Sequence, residues 1–316
     1  MNKNFAVIGV GGYIAPRHLK AIADNECRLV AAVDPQDSVG ILDRFSFETR
    51  FFTEFERFDR HLEKLRRGPE AERVNYISVC SPNYLHDAHC RLALRVGADV
   101  ICEKPLVVNP WNLDALQMLE EEHQKKVYTV LQLRLHPRLI DLRERLLTAS
   151  KKEKHDVVLT YITGRGPWYH DSWKGSVEKS GGIAVNIGIH FFDLLMWLFG
   201  EEVESKLYLS DRDRMSGYLE LENARVRWFL SINKDDLPFE VIPGEKSTFR
   251  SITVDGEEVE FTEGFTNLHT LVYKDILSGG GFGINDARPS IELVYRIRNL
   301  PIVNHDDQVH PKLTTK

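Results

Sequence analysis

A glycine-rich turn near the start of the chain places the strongest constraint on its fold. The apolar run Phe5-Ala6-Val7-Ile8 leads into Gly9-Val10-Gly11-Gly12-Tyr13-Ile14-Ala15, and a predicted helix continues to about residue 24. In a dinucleotide-binding βαβ unit, the first glycine allows a tight turn and the second lets the backbone approach a pyrophosphate. The free N–H groups of the following helix then point at that anion. The usual third glycine falls at Ile14, so the motif is a variant that needs support from the rest of the chain.

An aspartate at the end of the second predicted strand supplies that support. The strand covers residues 28–33 and ends at Asp34, which lies 23 positions after Gly11. An acidic residue near this spacing hydrogen-bonds the adenosine ribose of NAD and repels the 2′-phosphate of NADP. The alternative is a solvated aspartate in a turn. The strand, the glycines and the spacing together favour a binding site for NAD.

Strands and helices alternate as far as residue 135. Predicted strands cover 74–80, 99–102 and 126–133, and predicted helices cover 84–96 and 110–124. This alternation predicts an α/β fold, with a doubly wound parallel sheet of the Rossmann type over residues 1–135. Residues 136–303 contain two helices followed by mostly short strands, and are predicted to form an α+β domain with a largely antiparallel open sheet. Residues 304–316 are predicted to be a disordered tail.

Composition excludes several classes of function. The chain of 316 residues carries a net charge of −6, which argues against a nucleic-acid partner. An anionic ligand would therefore need local donors. We find no signal peptide and no uninterrupted apolar run long enough to span a membrane, and the four cysteines lack metal-ligand spacing. The expectation is a cytoplasmic protein without a membrane segment or a bound metal.

Two ionisable groups are candidates for catalysis. Lys104, within Glu103-Lys104-Pro105, follows the strand at 99–102, where open α/β sheets bind ligands. His190 lies four residues after Asn186 at the start of a predicted helix over 186–199, so both side chains share one face. A lysine and a histidine facing a nicotinamide would suit proton removal from an alcohol during hydride transfer. Considered separately, a surface lysine and a structural histidine are the alternatives.

A loop in the second domain mixes glycines, aromatic rings and cations, which suits a ligand that carries both rings and anions. The alternative is a simple connection between elements. Its candidate ligand-binding residues, together with one arginine from a later strand, are Arg165, Trp168, Tyr169, Trp173, Lys174 and Arg250.

The dinucleotide motif, Glu103-Lys104-Pro105 and the segment from Asn186 to His190 together resemble the glucose-fructose oxidoreductase, inositol dehydrogenase and rhizopine-catabolism (Gfo/Idh/MocA) family. The resemblance covers nearly the whole chain. It implies that Lys104 assists cofactor and substrate and that His190 acts as the acid or base. The family often has an aspartate where this chain has Asn186, which favours a hydrogen bond to a sugar over a carboxylate role.

Several segments resemble a narrower group, the bacterial UDP-N-acetylglucosaminuronate 3-dehydrogenases of O-antigen sugar synthesis; they are residues 11–18, 81–86, 163–166, 182–192 and 264–270. The resemblance implies oxidation of the sugar at C3 with NAD, recycling of NADH by 2-oxoglutarate, and a homotetramer formed through the β-sheet domain. It adds cofactor contacts from Tyr13, Ser81, Pro82, Asn83, His86, Glu103 and Trp168. The remaining alternatives are a dehydrogenase for another sugar or polyol and a non-catalytic NAD-binding regulator.

Overall fold

The computed structural model describes residues 3–148, 153–242, 247–259 and 267–314. Within these ranges the strands are β1 (Asn4–Ile8), β2 (Arg28–Val33), β3 (Arg50–Phe52), β4 (Tyr76–Val79), β5 (Asp99–Cys102), β6 (Val127–Thr129), β7 (His155–Thr163), β8 (Glu202–Ser210), β9 (Arg214–Leu221), β10 (Ala224–Ser231), β11 (Thr248–Val254) and β12 (Glu257–Glu258). The helices are α1 (Ala15–Asp24), α2 (Phe55–Arg67), α3 (His86–Arg95), α4 (Trp111–His123), α5 (Pro137–Thr148), α6 (Trp168–Asp171), α7 (Val177–Ser180), α8 (Ile189–Phe199), α9 (Leu268–Leu277), α10 (Ile284–Asn299) and α11 (Pro311–Thr314).

The chain divides into two compact units. The first unit comprises Met1–Leu135 and Gly264–Arg288, and the second comprises His136–Glu263 and Pro289–Lys316. The first break therefore falls at Leu135, where the alternation of strands and helices ends in the sequence.

The first unit is built on a parallel sheet. Its described strands lie in the order β3-β2-β1-β4-β5-β6, and every neighbouring pair runs parallel. Every residue of β1 is buried, as expected for a strand covered on both faces. The order reverses at β1, so the carboxyl ends of β1 and β4 border the crevice in which such sheets bind ligands. The predicted Rossmann fold is confirmed.

The first unit also includes a helix that the sequence assigned to the second. The prediction placed residues 136–303 in one domain, whereas Gly264–Arg288 packs with the first unit. The reason is hydrophobic burial: Val272, Tyr273 and Ile276 of α9 join the same core as Leu19 of α1. Burying such side chains contributes roughly 1.5–3 kcal/mol each.

The second unit contains a mixed sheet in the order β12-β11-β7-β10-β9-β8. The pair β7 and β10 is parallel, with Ala224 opposite His155 and Ser231 opposite Ile162, and the other pairs among the described strands are antiparallel. The prediction of a largely antiparallel sheet is confirmed. The last described strand of this sheet, β12, has only two residues.

One segment of the second unit, Val177–Phe199, is long and apolar enough to cross a membrane by length and composition alone. However, 67% of its most apolar 18-residue window is buried within the structure, which is typical of a core helix. Gly188 explains part of this packing, because a Cβ there would lie 2.6 Å from Leu230 Cδ1 and 2.9 Å from Phe192 Cε2. The segment is therefore packed closely against β10.

The predicted disordered tail is wrong for the described residues up to 314. Residues Pro311–Thr314 form α11, and Val309 and His310 before it are buried. His310 Nε2 lies 3.0 Å from Thr160 Oγ1 of β7, and Lys312 Nζ donates to the carbonyl oxygen of Asp236 at 2.5 Å. Polar side chains of the segment therefore make hydrogen bonds that hold it on the second unit.

Candidate active site

The glycine-rich turn occupies the carboxyl end of β1 and has backbone geometry that requires glycine. Gly9 has φ +83°, a conformation that L side chains rarely adopt. A Cβ at this position would also lie 2.8 Å from the carbonyl carbon of Cys80 and from the backbone nitrogen of Ser81. The turn can therefore follow its close path over the end of β4 only with glycine at this position.

The turn and Asp34 form a site that fits the adenosine half of NAD. Asp34 is buried, and its carboxylate accepts from the Gly11 N–H and the Gln36 N–H, each at 2.9 Å. An ionised carboxylate has about four acceptor positions, so two ribose hydroxyls can still be bound. Among the described residues, the N–H groups of Tyr13 and Ile14 have no acceptor. They are therefore available to a pyrophosphate at the start of α1.

The loops that follow β4 and β5 are joined by one buried histidine. His86 Nδ1 lies 2.7 Å from the carbonyl oxygen of Pro105, and Nε2 lies 2.8 Å from that of Ser81. Burial lowers the pKa of His86, although hydrogen bonds to the two carbonyls oppose this shift. Ser81 Oγ in turn lies 2.8 Å from His89 Nδ1, and Asn83 is buried in the 3₁₀ turn that follows Pro82. These contacts give His86 a clear structural role, and its predicted contact with the cofactor stays a prediction.

Lys104 lies where the sequence predicted it, directly after β5. It is half-buried, whereas Glu103 before it is buried. Glu103 is held by the backbone as well, since its N–H donates to the carbonyl oxygen of Val79 at 3.0 Å. The lysine is therefore attached to a closely fixed strand end in the first unit.

In the second unit, the candidate residues around Asn186 lie on a widened helical turn. Residues Ala184–Gly188 form a π-helix that continues into α8, instead of the α-helix predicted over 186–199. Such turns are rare in proteins, and many of those that occur lie at functional sites. Asn186 Nδ2 donates to Tyr169 Oη at 2.8 Å, and His190 is half-buried at the second position of α8. The structure thus connects the predicted Asn186 to the predicted Tyr169.

The predicted aromatic loop gathers its rings around one lysine. Lys174 Nζ lies 4.5 Å from the centroid of the Trp173 ring and 5.7 Å from that of Trp168. Burial lowers the pKa of Lys174, and the charge of Arg165 adds to the shift. Within the described residues, Lys174 has no carboxylate partner at ion-pair distance. Trp168 and Arg165 are exposed. This cluster suits an anionic ligand with a ring.

A pocket of about 270 Å³ within the second unit is bordered by Tyr169, Lys174, Arg212 and Arg298. The cations outnumber the single aspartate of this wall, Asp211, whose carboxylate is already bound by Arg214. Because its wall carries a net positive charge, the pocket can accept an anion. A broader depression of about 760 Å³ on α2 is bordered by charged side chains and by none of the predicted site residues.

Arg250, the last of the predicted substrate-binding residues, lies on β11 beside β7. Its guanidinium carbon is 6.0 Å from the centroid of the Tyr161 ring, at the limit of a cation–π contact. The Tyr161 ring packs in turn against Phe191 of α8, with ring centroids 4.7 Å apart and ring planes tilted by 46°. Arg250 is therefore tied to the helix that carries His190, while its contact with a substrate stays a prediction.

Three buried residues of the first unit were not assigned a role from the sequence, although they contact Glu103 directly or through one another. They are His18, His269 and Tyr273. His18 and His269 both fall in segments that carry the narrower resemblance, which is the one signal that marked them. Within the described residues, His18, Glu103 and His269 are also a group of potential metal ligands, with atoms within 4.8 Å of one another. The expected absence of a metal stays a prediction.

A Rossmann unit with an NAD-type turn, together with a lysine at a strand end, defines the class of nicotinamide-dependent oxidoreductases. Family models agree over most of the chain. Residues 3–131 match the NAD-binding Rossmann fold of the Gfo/Idh/MocA oxidoreductase family, and residues 155–296 match the C-terminal alpha/beta domain of that family. The chain belongs to the Gfo/Idh/MocA oxidoreductase family, as the sequence resemblance implied.

Solved structures give a narrower similarity. The WlbA (WbpB) dehydrogenase from Thermus thermophilus, in complex with NAD and alpha-ketoglutarate, is 51% identical, covers 98% of this chain and 99% of its own, and superposes with a TM-score of 0.92. The structure of that dehydrogenase in complex with NAD and UDP-GlcNAcA is 50% identical, again covers 98% of this chain and 99% of its own, and has a TM-score of 0.91. The WlbA dehydrogenase from Bordetella pertussis is 19% identical over 96% of this chain and 100% of its own, with a TM-score of 0.77, and shows the fold alone.

Curated relatives match shorter parts of the chain. Inositol 2-dehydrogenase of Rhizobium meliloti is 25% identical over 64% of this chain and 56% of its own length. D-glucoside 3-dehydrogenase of Escherichia coli is 29% identical over 41% of this chain and 37% of its own length. The chain therefore aligns with 56% of the length of the first relative and 37% of the length of the second.

Proposed function

We propose that the protein oxidises the C3 hydroxyl of UDP-N-acetyl-D-glucosaminuronic acid to the 3-keto sugar, in the synthesis of O-antigen sugars. The observation that carries the proposal is the 50% identity, over 98% of the chain, to a dehydrogenase solved with NAD and UDP-GlcNAcA. The candidates for the reacting groups are Lys104 after β5 and His190 near the start of α8. When bound, NAD supplies the acceptor for the hydride from C3.

Lys104 and His190 divide the work on the C3 hydroxyl in this proposal. A neutral imidazole at His190 takes the hydroxyl proton near neutral pH. The ammonium group of Lys104 polarises the hydroxyl and stabilises the charge that develops on its oxygen. The two roles can also be exchanged, with Lys104 taking the proton. Asn186, which donates to Tyr169, hydrogen-bonds the sugar.

The anions of the substrate are assigned to cations of the second unit. The substrate carries a diphosphate and a carboxylate, and the candidate partners are Arg165, Lys174 and Arg250. Lys174 is supported by its position on the wall of the pocket and by its contacts with Trp168 and Trp173. A partly buried cation without a carboxylate partner within the described residues is well suited to a diphosphate.

We also propose a cytoplasmic homotetramer with neither a nucleic-acid nor a membrane partner. The net charge of −6 and the family resemblance support this assignment. Size-exclusion chromatography with light scattering measures the mass of the assembly directly, and a monomer would contradict it.

The test of the function is a substrate panel with purified protein and NAD. We expect reduced nicotinamide, followed by its absorbance, to form with UDP-N-acetylglucosaminuronic acid and not with UDP-N-acetylglucosamine. Activity with a free sugar or with inositol would instead support the second candidate, a dehydrogenase for another sugar or polyol, which the similarity to inositol 2-dehydrogenase favours. NAD binding without turnover of any member of the panel would support a non-catalytic regulator.

Asp34 should give the protein a preference for NAD over NADP. Its carboxylate would face the 2′-phosphate, at a cost of about 1–3 kcal/mol, so we expect kcat/KM to be roughly 5- to 150-fold higher with NAD. Asp34→Asn should narrow this ratio, because the amide carries no charge. Asp37→Asn, an exposed change three residues later, is the control and should leave the ratio unaltered. Equal use of NAD and NADP by the wild type would contradict the assignment.

A further inference from the structure

A buried polar network in the first unit connects four parts of the fold. It consists of Ser78 of β4, Glu103 after β5, His18 of α1, and His269 and Tyr273 of α9. None of these residues exposes more than 6% of its surface. We call this set the Glu103 network. A buried carboxylate is costly unless it is hydrogen-bonded, so its partners need to be identified.

Both oxygens of Glu103 accept hydrogen bonds from the protein. Oε1 lies 2.9 Å from His18 Nε2 and 2.9 Å from His269 Nε2. Oε2 accepts from the backbone N–H of Lys104 at 3.2 Å. Behind His18, Nδ1 lies 2.7 Å from Tyr273 Oη, which in turn lies 2.6 Å from Ser78 Oγ. The chain of contacts therefore runs from Lys104 into the core.

The positions of the hydrogens follow from the partners. An ionised Glu103 only accepts, so His18 and His269 both donate from Nε2. A neutral His18 then accepts at Nδ1 from the Tyr273 hydroxyl, and Ser78 donates to the Tyr273 oxygen. Burial alone would raise the pKa of Glu103, but the hydrogen bonds from the two histidines outweigh burial and hold this pKa well below its usual value. Burial lowers the pKa of His18, which agrees with a neutral ring.

The same atoms could be read as a metal site, but the geometry favours hydrogen bonds. A metal ion would lie about 2.0–2.2 Å from each ligand atom, and a structural zinc site needs four ligands. Among the described residues, no fourth histidine, cysteine or carboxylate joins His18, Glu103 and His269. Both ring nitrogens instead lie at hydrogen-bond distance from one oxygen.

We propose that Glu103 is a positioning residue for Lys104, with His18 and His269 holding its carboxylate ionised and in place. The carboxylate fixes the backbone N–H of Lys104 and so sets the origin of the side chain that acts on the substrate hydroxyl. The proposal rests on the function given above for Lys104. It differs from the direct contact between Glu103 and the cofactor that the sequence resemblance implied, because here the carboxylate acts through the backbone N–H of Lys104.

The first test separates positioning from cofactor binding. In Glu103→Gln, the amide oxygen can still accept from the histidines, but the amide NH₂ meets the N–H of Lys104, so two donors face each other. We expect kcat to fall by about 30- to 100-fold, since a small misplacement of a reacting group has effects of this size. The Kd for NAD, measured by calorimetry without substrate, should stay within about threefold of wild type. A large rise in the Kd for NAD with kcat unchanged would show a direct cofactor contact and overturn the proposal.

A second pair of variants removes only one hydroxyl each, so it tests the proposal even if Glu103→Gln does not fold. Tyr273→Phe removes only the hydroxyl that fixes the tautomer of His18, and kcat should fall by about 3- to 10-fold with little change in KM. Tyr76→Phe is the matched control. The rings of Tyr76 and Tyr273 both stack on Phe5, at 5.0 and 5.7 Å, but the hydroxyl of Tyr76 bonds to no other described residue. If the two variants lowered kcat equally, the hydrogen bonds of the Tyr273 hydroxyl would have no effect of their own on turnover. That result would contradict the proposal.

The protonation states can be measured without cofactor or substrate. In the apo protein, ¹⁵N spectra of histidine should show His18 as a neutral ring protonated at Nε2 at pH 7, and a proton on Nε2 of His269. An imidazolium at His18, an Nε2 of His269 without a proton, or one tightly held zinc ion per chain by elemental analysis would overturn the hydrogen-bond assignment. If the proposed function itself were wrong, the wild type would oxidise no UDP-sugar. Normal turnover of Glu103→Gln would be a different result, because it would contradict the positioning role and leave the proposed function intact.

Discussion

Lys104→Ala and His190→Ala are each expected to slow turnover by about 100-fold or more, because in the proposed reaction each removes a group that handles the proton or the charge of the C3 hydroxyl. His190→Asn should be as damaging, since an amide cannot take up the proton. The measurement is kcat with UDP-N-acetylglucosaminuronic acid at saturating NAD. The affinity for NAD in the absence of substrate should change little in the His190 variants, because His190 belongs to the second unit and the predicted NAD-binding turn to the first.

Exposed residues of the same types serve as controls for these variants. Lys64 on α2 and His305 near the chain end are both exposed. Lys64→Ala and His305→Ala should retain the turnover of wild type. If soluble Lys104→Ala or His190→Ala protein that binds NAD kept nearly normal turnover, the residue concerned would have no part in the reaction.

Turnover is expected to depend on 2-oxoglutarate when no free NAD is supplied. Oxidation of a secondary alcohol by NAD is unfavourable near neutral pH, so product builds up poorly unless the reduced cofactor is removed. A site that holds a sugar carboxylate can accept a 2-keto acid with its carbonyl in the place of C3. Lys104 and His190 then return the proton, and two electrons and two protons pass from the sugar to the keto acid, giving 2-hydroxyglutarate. The similarity to a dehydrogenase solved with NAD and alpha-ketoglutarate supports this expectation.

The experiment uses protein purified with its bound cofactor and the UDP-uronic acid. With 2-oxoglutarate, we expect each bound NAD to yield many equivalents of 3-keto sugar, with an equal amount of 2-hydroxyglutarate. Without 2-oxoglutarate, we expect at most one equivalent of 3-keto sugar per bound NAD. Succinate, which has two carboxylates but no keto group, is the control and should support no turnover. If turnover instead required added NAD and did not depend on 2-oxoglutarate, the reduced cofactor would be shown to exchange with NAD in solution.

The parts of the fold that depend on local sequence pattern could be predicted. The alternation of apolar runs with helices gave the parallel sheet, and glycine and aspartate spacing located the cofactor turn. The edge strand β3 was missed because it has only three residues, too few to show a period. The docking of α9 was missed for a different reason. Its apolar stripe is compatible with either unit, and only packing against Leu19 and its neighbours decides between them.

Some residues of the candidate site could likewise be predicted from local sequence pattern, and others could not. Lys104 and Asp34 could be predicted as site residues because each lies within two residues of the end of a strand. The π-helix around Asn186 has no sequence signal of its own, because an extra residue in a helical turn is stabilised by its surroundings. The Glu103 network could not be derived from spacing either. His18 and His269 are 85 and 166 positions away from Glu103 along the chain.

The return of α9 to the first unit has a consequence for synthesis on the ribosome. When Leu135 has emerged, the nascent unit still lacks α9, and residues 136–263 must be translated before Gly264–Arg288 becomes available. At an elongation rate of about 5–20 residues per second this takes on the order of ten seconds. During this interval the apolar surface that α9 will cover is exposed and Glu103 lacks His269. A fragment ending at residue 135 should therefore aggregate, and the nascent chain is a candidate client for a chaperone.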